Sequence, residues 1–170
     1  AAALALGQER PEGALAALAG ARAARLTAVL DADRPVPADG ALLRAATHVA
    51  FSSDALADLT GIGDAETALA EVARGLQGWC CVTAGGDGVY SCWKGEIRHD
   101  PAFDVPVVDT LGAGDVWHGA FALALAEGRP ETEAVRFASA AAALKVQRSG
   151  GRAGVPARAE LDAFLATRSA

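Results

Sequence analysis

Residues 109–119 read DTLGAGDVWHG. An acid and a hydroxyl come first, then glycine, alanine and glycine, then a second acid, and an apolar helical pattern follows at once. A loop that runs straight into a helix leaves the first backbone N–H groups of that helix unpaired, and small residues let an anion approach them. Gly112, Ala113 and Gly114 therefore suit an anion hole of phosphate size. Asp115 falls at the same positive helix end, which favours its ionised form and suits a carboxylate that accepts a proton from a hydroxyl. The same spacing also fits a plain glycine-rich helix start with Asp115 as a first-turn acid, and the GAG pattern alone does not choose between the two.

Composition limits what such a loop can serve. The 170 residues are 52% hydrophobic with a formal net charge of −6, and the mean hydropathy is +0.22 with a pI near 5.0. That is enough chain for one ordinary core, so residues 1–170 are expected to form a single domain portion. Binding a phosphate backbone relies on clustered Lys and Arg, so the acidic balance argues against nucleic acid. No run approaches the roughly 20 apolar residues of a membrane span, and the opening AAALAL is too short, and lacks the basic flank, for a signal peptide. Cys80, Cys81 and Cys92 form neither a CxxC pair nor an even framework, so they read as small buried hydrophobes in a reducing cytosol. His48, His99 and His118 stand apart without ligand-like spacing, which argues against a dedicated metal centre. The chain holds no methionine and opens inside an apolar segment without a cap, so it reads as a piece of something longer.

Outward from the opening loop, helical and strand patterns alternate. RPEGALAALAG puts Pro11 in a first turn and Leu15, Leu18 and Ala19 on one face, before an apolar strand at 26–30 closed by DADRP. A short helix over 41–45 leads to the strand HVAF at 48–51, and a helix from Asp64 carries Ala65, Leu69, Val72 and Leu76 at helical spacing. WCCVT is a continuous buried strand, followed by a hairpin with its turn at Lys94 and Gly95. Three helices come last, over 114–127, 130 to about 147, and 157–166, with Gly128 a left-handed cap and Pro130 in the first turn that follows. Continuous apolar strands separated by helices imply an α/β fold, a doubly wound and mostly parallel sheet with helices on both faces.

A second glycine-rich turn, VTAGGDG, follows the WCCVT strand and places Thr83, Gly85 and Gly88 where backbone could lie against a nucleotide, although a hairpin turn uses the same residues. Gly119 costs its helix about 1 kcal/mol relative to alanine, and close packing against a backbone or a ligand is the expected justification.

VVDTLGAGDVWHGAF resembles the C-terminal signature of ribokinase-like, PfkB-type carbohydrate kinases, and VTAGGDG resembles their nucleotide loop. The likeness extends to HVAFSSDALADLTG, AVRFASAAAALKV and RSGGRAGVP. It implies ATP-dependent phosphorylation of a sugar hydroxyl with Mg²⁺. Asp115 would be the catalytic base, Gly112, Ala113 and Gly114 the anion hole, Thr83, Gly85 and Gly88 the ATP lining, and Ser139 a neighbour of adenine. It further implies a monovalent cation, K⁺, held around Asp109, Leu111 and Gly150, where an Asx-type turn at Asp109 is the plainer alternative. Gly154 has no hydroxyl to add to that site. In the family the sugar-contacting glycines and a small β-lid come from the N-terminal part of the chain; no counterpart is present here, and a homodimer through that lid is implied with it.

The sequence also departs from the family pattern. Ser52, Ser53, Asp54 and Ala55 stand where many relatives carry Asn-x-x-Glu, as in ketohexokinase-like members, which tilts the acceptor toward ketoses; Asp54 reads better as a helix-start acid than as a metal ligand. Asp31 and Asp33 are expected to be loop acids, Trp117 and Phe121 core, His118 packing beside the base, and Arg136 and Lys145 solvated helix positions. A binding module without catalysis, or a kinase for a nucleoside or hydroxymethylpyrimidine, are the alternative functions, and the retained Asp115 argues against the first.

Overall fold

Apolar residues fall opposite one another across a row of strands, Leu30 against Val49, Val49 against Cys80 and Cys80 against Cys92. This row crosses a six-stranded sheet in the order β1 (Ala3–Leu6), β2 (Thr27–Ala32), β3 (His48–Ser52), β4 (Trp79–Thr83), β5 (Val89–Trp93) and β6 (Glu96–Asp100). The first four strands are parallel and the last two antiparallel. The computed structural model describes residues 3–6, 11–34 and 40–168, so Arg10 of RPEGALAALAG and the proline of DADRP lie outside the described residues, while Pro11 opens the first helix as expected. These residues group into two units, Ala1–Pro101 and Ala102–Ala170.

In the first unit the helices are α1 (Pro11–Ala23), α2 (Ala41–Ala45), α3 (Ser53–Thr60) and α4 (Ala65–Ala73). Leu18, Leu42, Leu56 and Leu69 from these helices cluster with Leu30, Phe51 and Val82 of the strands. Successive strand residues point to opposite faces, and Ala28, Val29 and Leu30 are all fully buried, so both faces of β2 are covered. Hence the strands read as unbroken apolar runs rather than alternating ones. The turn from β5 to β6 places Lys94 at φ 53° and Gly95 at φ 84°, the paired positive angles that a two-residue hairpin of matching twist requires.

Three local expectations change. β2 runs on to Ala32, so Asp31 is a strand residue paired with Ala50 rather than a loop acid, and only Asp33 follows the strand, 3.8 Å from Arg34. α4 ends at Ala73, and Leu76 falls outside it because the N–H groups of Gly75 and Leu76 turn back to Val72 and Ala73 in shorter-range bonds. Asp64 is the cap of α4, accepting from Thr67 N at 2.9 Å.

The second unit consists of α5 (Ala113–Ala126), α6 (Glu131–Val146) and α7 (Arg158–Ala166), with a 3-10 turn at Arg152–Gly154. Gly128 takes φ 82° after α5 as expected, while Pro130 is the cap of α6 and not its first residue. Trp117 and Phe121 on α5 and Ala134, Ala138 and Ala141 on α6 are buried. The indole of Trp117 stacks on Phe121 at 5.0 Å and donates to Ser139 Oγ at 3.2 Å, so both aromatics are core. None of the helices among the described residues is long and apolar enough to cross a membrane.

Candidate active site

Gly112 caps α5 at φ 74°, a left-handed conformation that glycine adopts without the penalty a Cβ brings. From that corner the main chain turns sharply. The N–H of Ala113 donates back to the carbonyl of Thr110 at 3.0 Å, and that of Val116 to Gly112 at 3.0 Å. The N–H groups of Gly112, Gly114 and Asp115 donate to no partner among the described residues. Three amides at the positive end of a 14-residue helix are thus open to an anion. The set differs from the three expected residues by one place: the amide of Ala113 is spent inside the loop, and that of Asp115 takes its share.

Asp115 is exposed, and its Oδ2 lies 3.8 Å from where a Cβ on Gly112 would stand. Both residues line a cavity of about 690 Å³ whose wall continues through Gly119, Leu123, Phe137 and Arg152. Gly119 does not support close packing within the protein, because a Cβ there would meet no atom within 4 Å. Its missing side chain enlarges the cavity instead. His118 Nδ1 contacts the Gly114 carbonyl at 2.8 Å; a carbonyl only accepts, so Nδ1 carries the proton and ties the ring to the first turn of α5. Ser139 accepts from Trp117 and keeps its hydroxyl proton and its second lone pair to offer elsewhere.

The loop ahead of α5 is held by Asp109. Its Oδ1 accepts from Leu111 N at 2.9 Å, the Asx-type turn anticipated from the sequence, and its Oδ2 accepts from Gly150 N at 3.0 Å. Those two amides, with Lys145 adding to them against some desolvation, hold the Asp109 carboxyl below the ordinary carboxylate range. Lys145 is not a solvated helix position: it is fully buried, with Nζ 3.0 Å from the Asp109 carbonyl and 3.4 Å from Oδ2. The main chain of α6 grips the same loop, as Val108 N and Asp109 N both donate to the Val146 carbonyl, at 2.7 and 3.1 Å. The residues expected to hold a monovalent cation therefore do not fit an additional one at Asp109, since an ammonium already stands against its carbonyl and carboxylate. Arg136, also expected in solvent, is partly buried, donates to the carbonyl of Arg168 and lies over Phe103.

Thr83, Gly85 and Gly88 belong to the first unit. Thr83 ends β4, with its hydroxyl donating to the Phe51 carbonyl at 3.3 Å. Gly85 has φ 54°, and Gly88 has φ 97° and ψ −137°, which only glycine adopts readily. The loop they form joins the antiparallel pair β4 and β5 and is closed by Ala84 N donating to Gly88 O at 2.8 Å. A Cβ at Gly85 or Gly86 would meet nothing within 4 Å, so the outer side of this loop is open. Asp54 is an exposed first-turn acid of α3, whose cap is Ser52 accepting from Ala55 N at 3.2 Å.

Two functional candidates escaped the sequence reading. Arg152 lines the cavity beside Asp115 and makes no ion pair among the described residues; nothing in RSGGRAG singles it out. Lys145 had a signal, since it continues the buried series Ala134, Ala138 and Ala141 at helical spacing.

Residues 2–158 match the model of the pfkB family carbohydrate kinases. The ribokinase of Bacillus subtilis is 46% identical over 85 residues, covering 49% of this chain and 29% of that protein. The crystal structure of ribokinase from Thermotoga maritima superposes with a TM-score of 0.81 at 34% identity, covering 98% of this chain and 57% of that one. Arabidopsis thaliana ribokinase, in a structure complexed with ribose and ATP, superposes with a TM-score of 0.86 at 28% identity, covering 96% of this chain and 55% of that one. The chain thus spans a little over half the length of these solved relatives. Because the family match runs through both glycine-rich loops and ends only where α7 begins, the chain belongs to the pfkB family of carbohydrate kinases.

Proposed function

We propose that the protein to which this chain belongs transfers the γ-phosphoryl group of ATP to a hydroxyl of a sugar. The observation that carries the proposal is the exposed carboxylate of Asp115 at a helix start where the amides of Gly112, Gly114 and Asp115 are unpaired, with Gly112 and Asp115 on the wall of one cavity. Asp115 takes the proton of the sugar hydroxyl as its oxygen forms a bond to the γ-phosphorus. The bond from that phosphorus to the β–γ bridging oxygen breaks, and ADP leaves. The three amides bear the negative charge spread over the moving phosphoryl, a stabilisation in which no hydrogen bond to the protein has to be broken first. Arg152 stands on the same wall and adds a positive charge to it.

Magnesium enters with ATP as part of the substrate, ligated mostly by water and phosphate oxygens. Thr83, Gly85 and Gly88 are assigned to the nucleotide, with the open side of their loop against it, and the Ser139 hydroxyl proton to adenine. The acceptor is a ribose-type or keto sugar, and its contacts, together with a lid through which two copies pair, belong to parts of the protein outside residues 1–170.

The test is ATP-dependent phosphorylation by the full-length protein across a panel of pentoses, ketohexoses, keto-deoxy sugars, nucleosides and hydroxymethylpyrimidine. A sugar phosphate formed in step with ADP supports the proposal. Turnover confined to a nucleoside or the pyrimidine moves the acceptor class, and tight ATP binding with no acceptor consumed points to a binding module.

A further inference from the structure

Lys145 is fully buried, and a buried ammonium persists only where oxygen acceptors replace its water. Both acceptors come from one residue, the carbonyl oxygen of Asp109 at 3.0 Å and its Oδ2 at 3.4 Å. The same carboxylate also accepts from the amides of Leu111 and Gly150. Gly154 leaves room for the lysine stem, since a Cβ there would already lie 3.5 Å from Cε. Lys145 also sits in the last turn of α6, where the helix dipole favours a positive charge. A carbonyl and a carboxylate facing a helix C-terminus are what a hard monovalent cation seeks, and here the cation is covalently attached.

We infer that Lys145 is the resident cation of the loop ahead of α5, holding residues 109–111 against Gly150 and so positioning the open amides of α5 without a bound metal ion. A potassium ion on the same oxygens would set two positive charges side by side on one carboxylate, which Coulomb repulsion opposes. Lys145 is a positioning residue: it touches Asp109 and not the cavity, and it acts on the anion site through the loop. Its nucleotide-affinity readout rests on the proposed kinase function; its stability readout does not.

The experiment uses the full-length protein with Mg–ADP as the probe, in potassium, ammonium or tetramethylammonium chloride at about 0.1 M throughout, so that screening stays constant. For the unaltered protein the expected result is no change beyond about twofold in the Mg–ADP dissociation constant, and no change in melting temperature, among the three salts. Lys145→Ala opens a small hole beside Asp109; in tetramethylammonium it should bind Mg–ADP about tenfold more weakly or worse, and potassium or ammonium should restore most of the loss. Lys145→Met fills the hole with an apolar chain and should be impaired in all three salts. A merely structural lysine would show no such rescue by small cations.

The inference is overturned if potassium tightens Mg–ADP binding or raises the melting temperature of the unaltered protein, or if Lys145→Ala matches it in tetramethylammonium. Should the variants fail to fold, the salt comparison on the unaltered protein still decides. Should no nucleotide bind in any salt, the kinase proposal falls, and the melting temperatures in the three salts still support or overturn the role of Lys145.

Discussion

The main-chain amide of Gly150 donates to the carboxylate of Asp109 at 3.0 Å, across 41 residues of sequence. This bond fastens the turn after α6 to the loop before α5, and Asp109 secures Leu111 with its other oxygen. Replacing Asp109 with alanine removes both bonds and leaves the buried Lys145 with only a carbonyl, whereas asparagine keeps one acceptor oxygen but no charge. Thermal melting should fall for both variants, further for Asp109→Ala, and in each case by more than for Asp64→Ala, which removes an exposed cap. Equal melting temperatures for Asp109→Ala and the unaltered protein would mean the loop is held by other contacts.

Gly112 at the cap of α5 and Gly119 inside it should respond in opposite directions. Gly112 has positive φ, so Gly112→Ala forces a strained left-handed alanine at about 1–2 kcal/mol and narrows the approach to the anion site. Gly119 lies inside α5 with open space at its missing Cβ, so Gly119→Ala should stabilise the protein by about 1 kcal/mol through helix propensity. Chemical denaturation of the two variants reads both signs.

The pH dependence of stability should carry an acid-side term from Glu127. Its hydrogen bond to Arg158 leads the causes that lower its carboxyl from the ordinary value of 4.5. A depressed folded-state value means the unfolded chain binds the proton more readily, so the contribution is complete above about pH 4.5 and is lost as pH falls through the lower folded value. Glu127→Gln should flatten that part of the melting-temperature profile below pH 4.5 and leave the shape near neutrality unchanged. A profile identical to that of the unaltered protein would remove Glu127 from the acid response.

All three cysteines should resist modification in the folded protein. They are buried, and burial first, with Cys92 beside it, pushes the Cys80 thiol up to about 12. Cys81 is raised well above its ordinary value by burial, with Cys80 and Asp31 adding to it. Titration with a thiol reagent should find no fast-reacting group among these three under native conditions and full reaction in denaturant. A fast native reaction assigned to Cys80, Cys81 or Cys92 would contradict the packing.

The parts of the fold that could be read in the sequence are those set by local periodicity and turn chemistry. Unbroken apolar runs mark the parallel strands β2, β3 and β4 but not the short β1, Lys94 and Gly95 mark the hairpin, and Gly128 marks the break between α5 and α6. Element ends were less legible, because Asp31 sits in a strand that local composition would have stopped at Leu30, and sheet pairing with β3 overrides that signal. At the candidate site, residue identity was visible and the direction of its atoms was not. The GAG spacing does not tell that the Ala113 amide turns back to Thr110 while those of Gly112, Gly114 and Asp115 stay open. The charge of Lys145 reads as solvent-facing, whereas its helical spacing with the buried Ala134, Ala138 and Ala141 puts it on the buried face.

In the proposed reaction Asp115 removes a proton while amides at the same helix end hold the phosphoryl group. The most direct measurement is single-turnover phosphorylation by Asp115→Asn in the full-length protein, with Mg–ATP affinity measured on the same sample. The expected transfer rate is at least about 100-fold lower, with nucleotide affinity nearly unchanged. A transfer rate within a few-fold of the unaltered protein would contradict it.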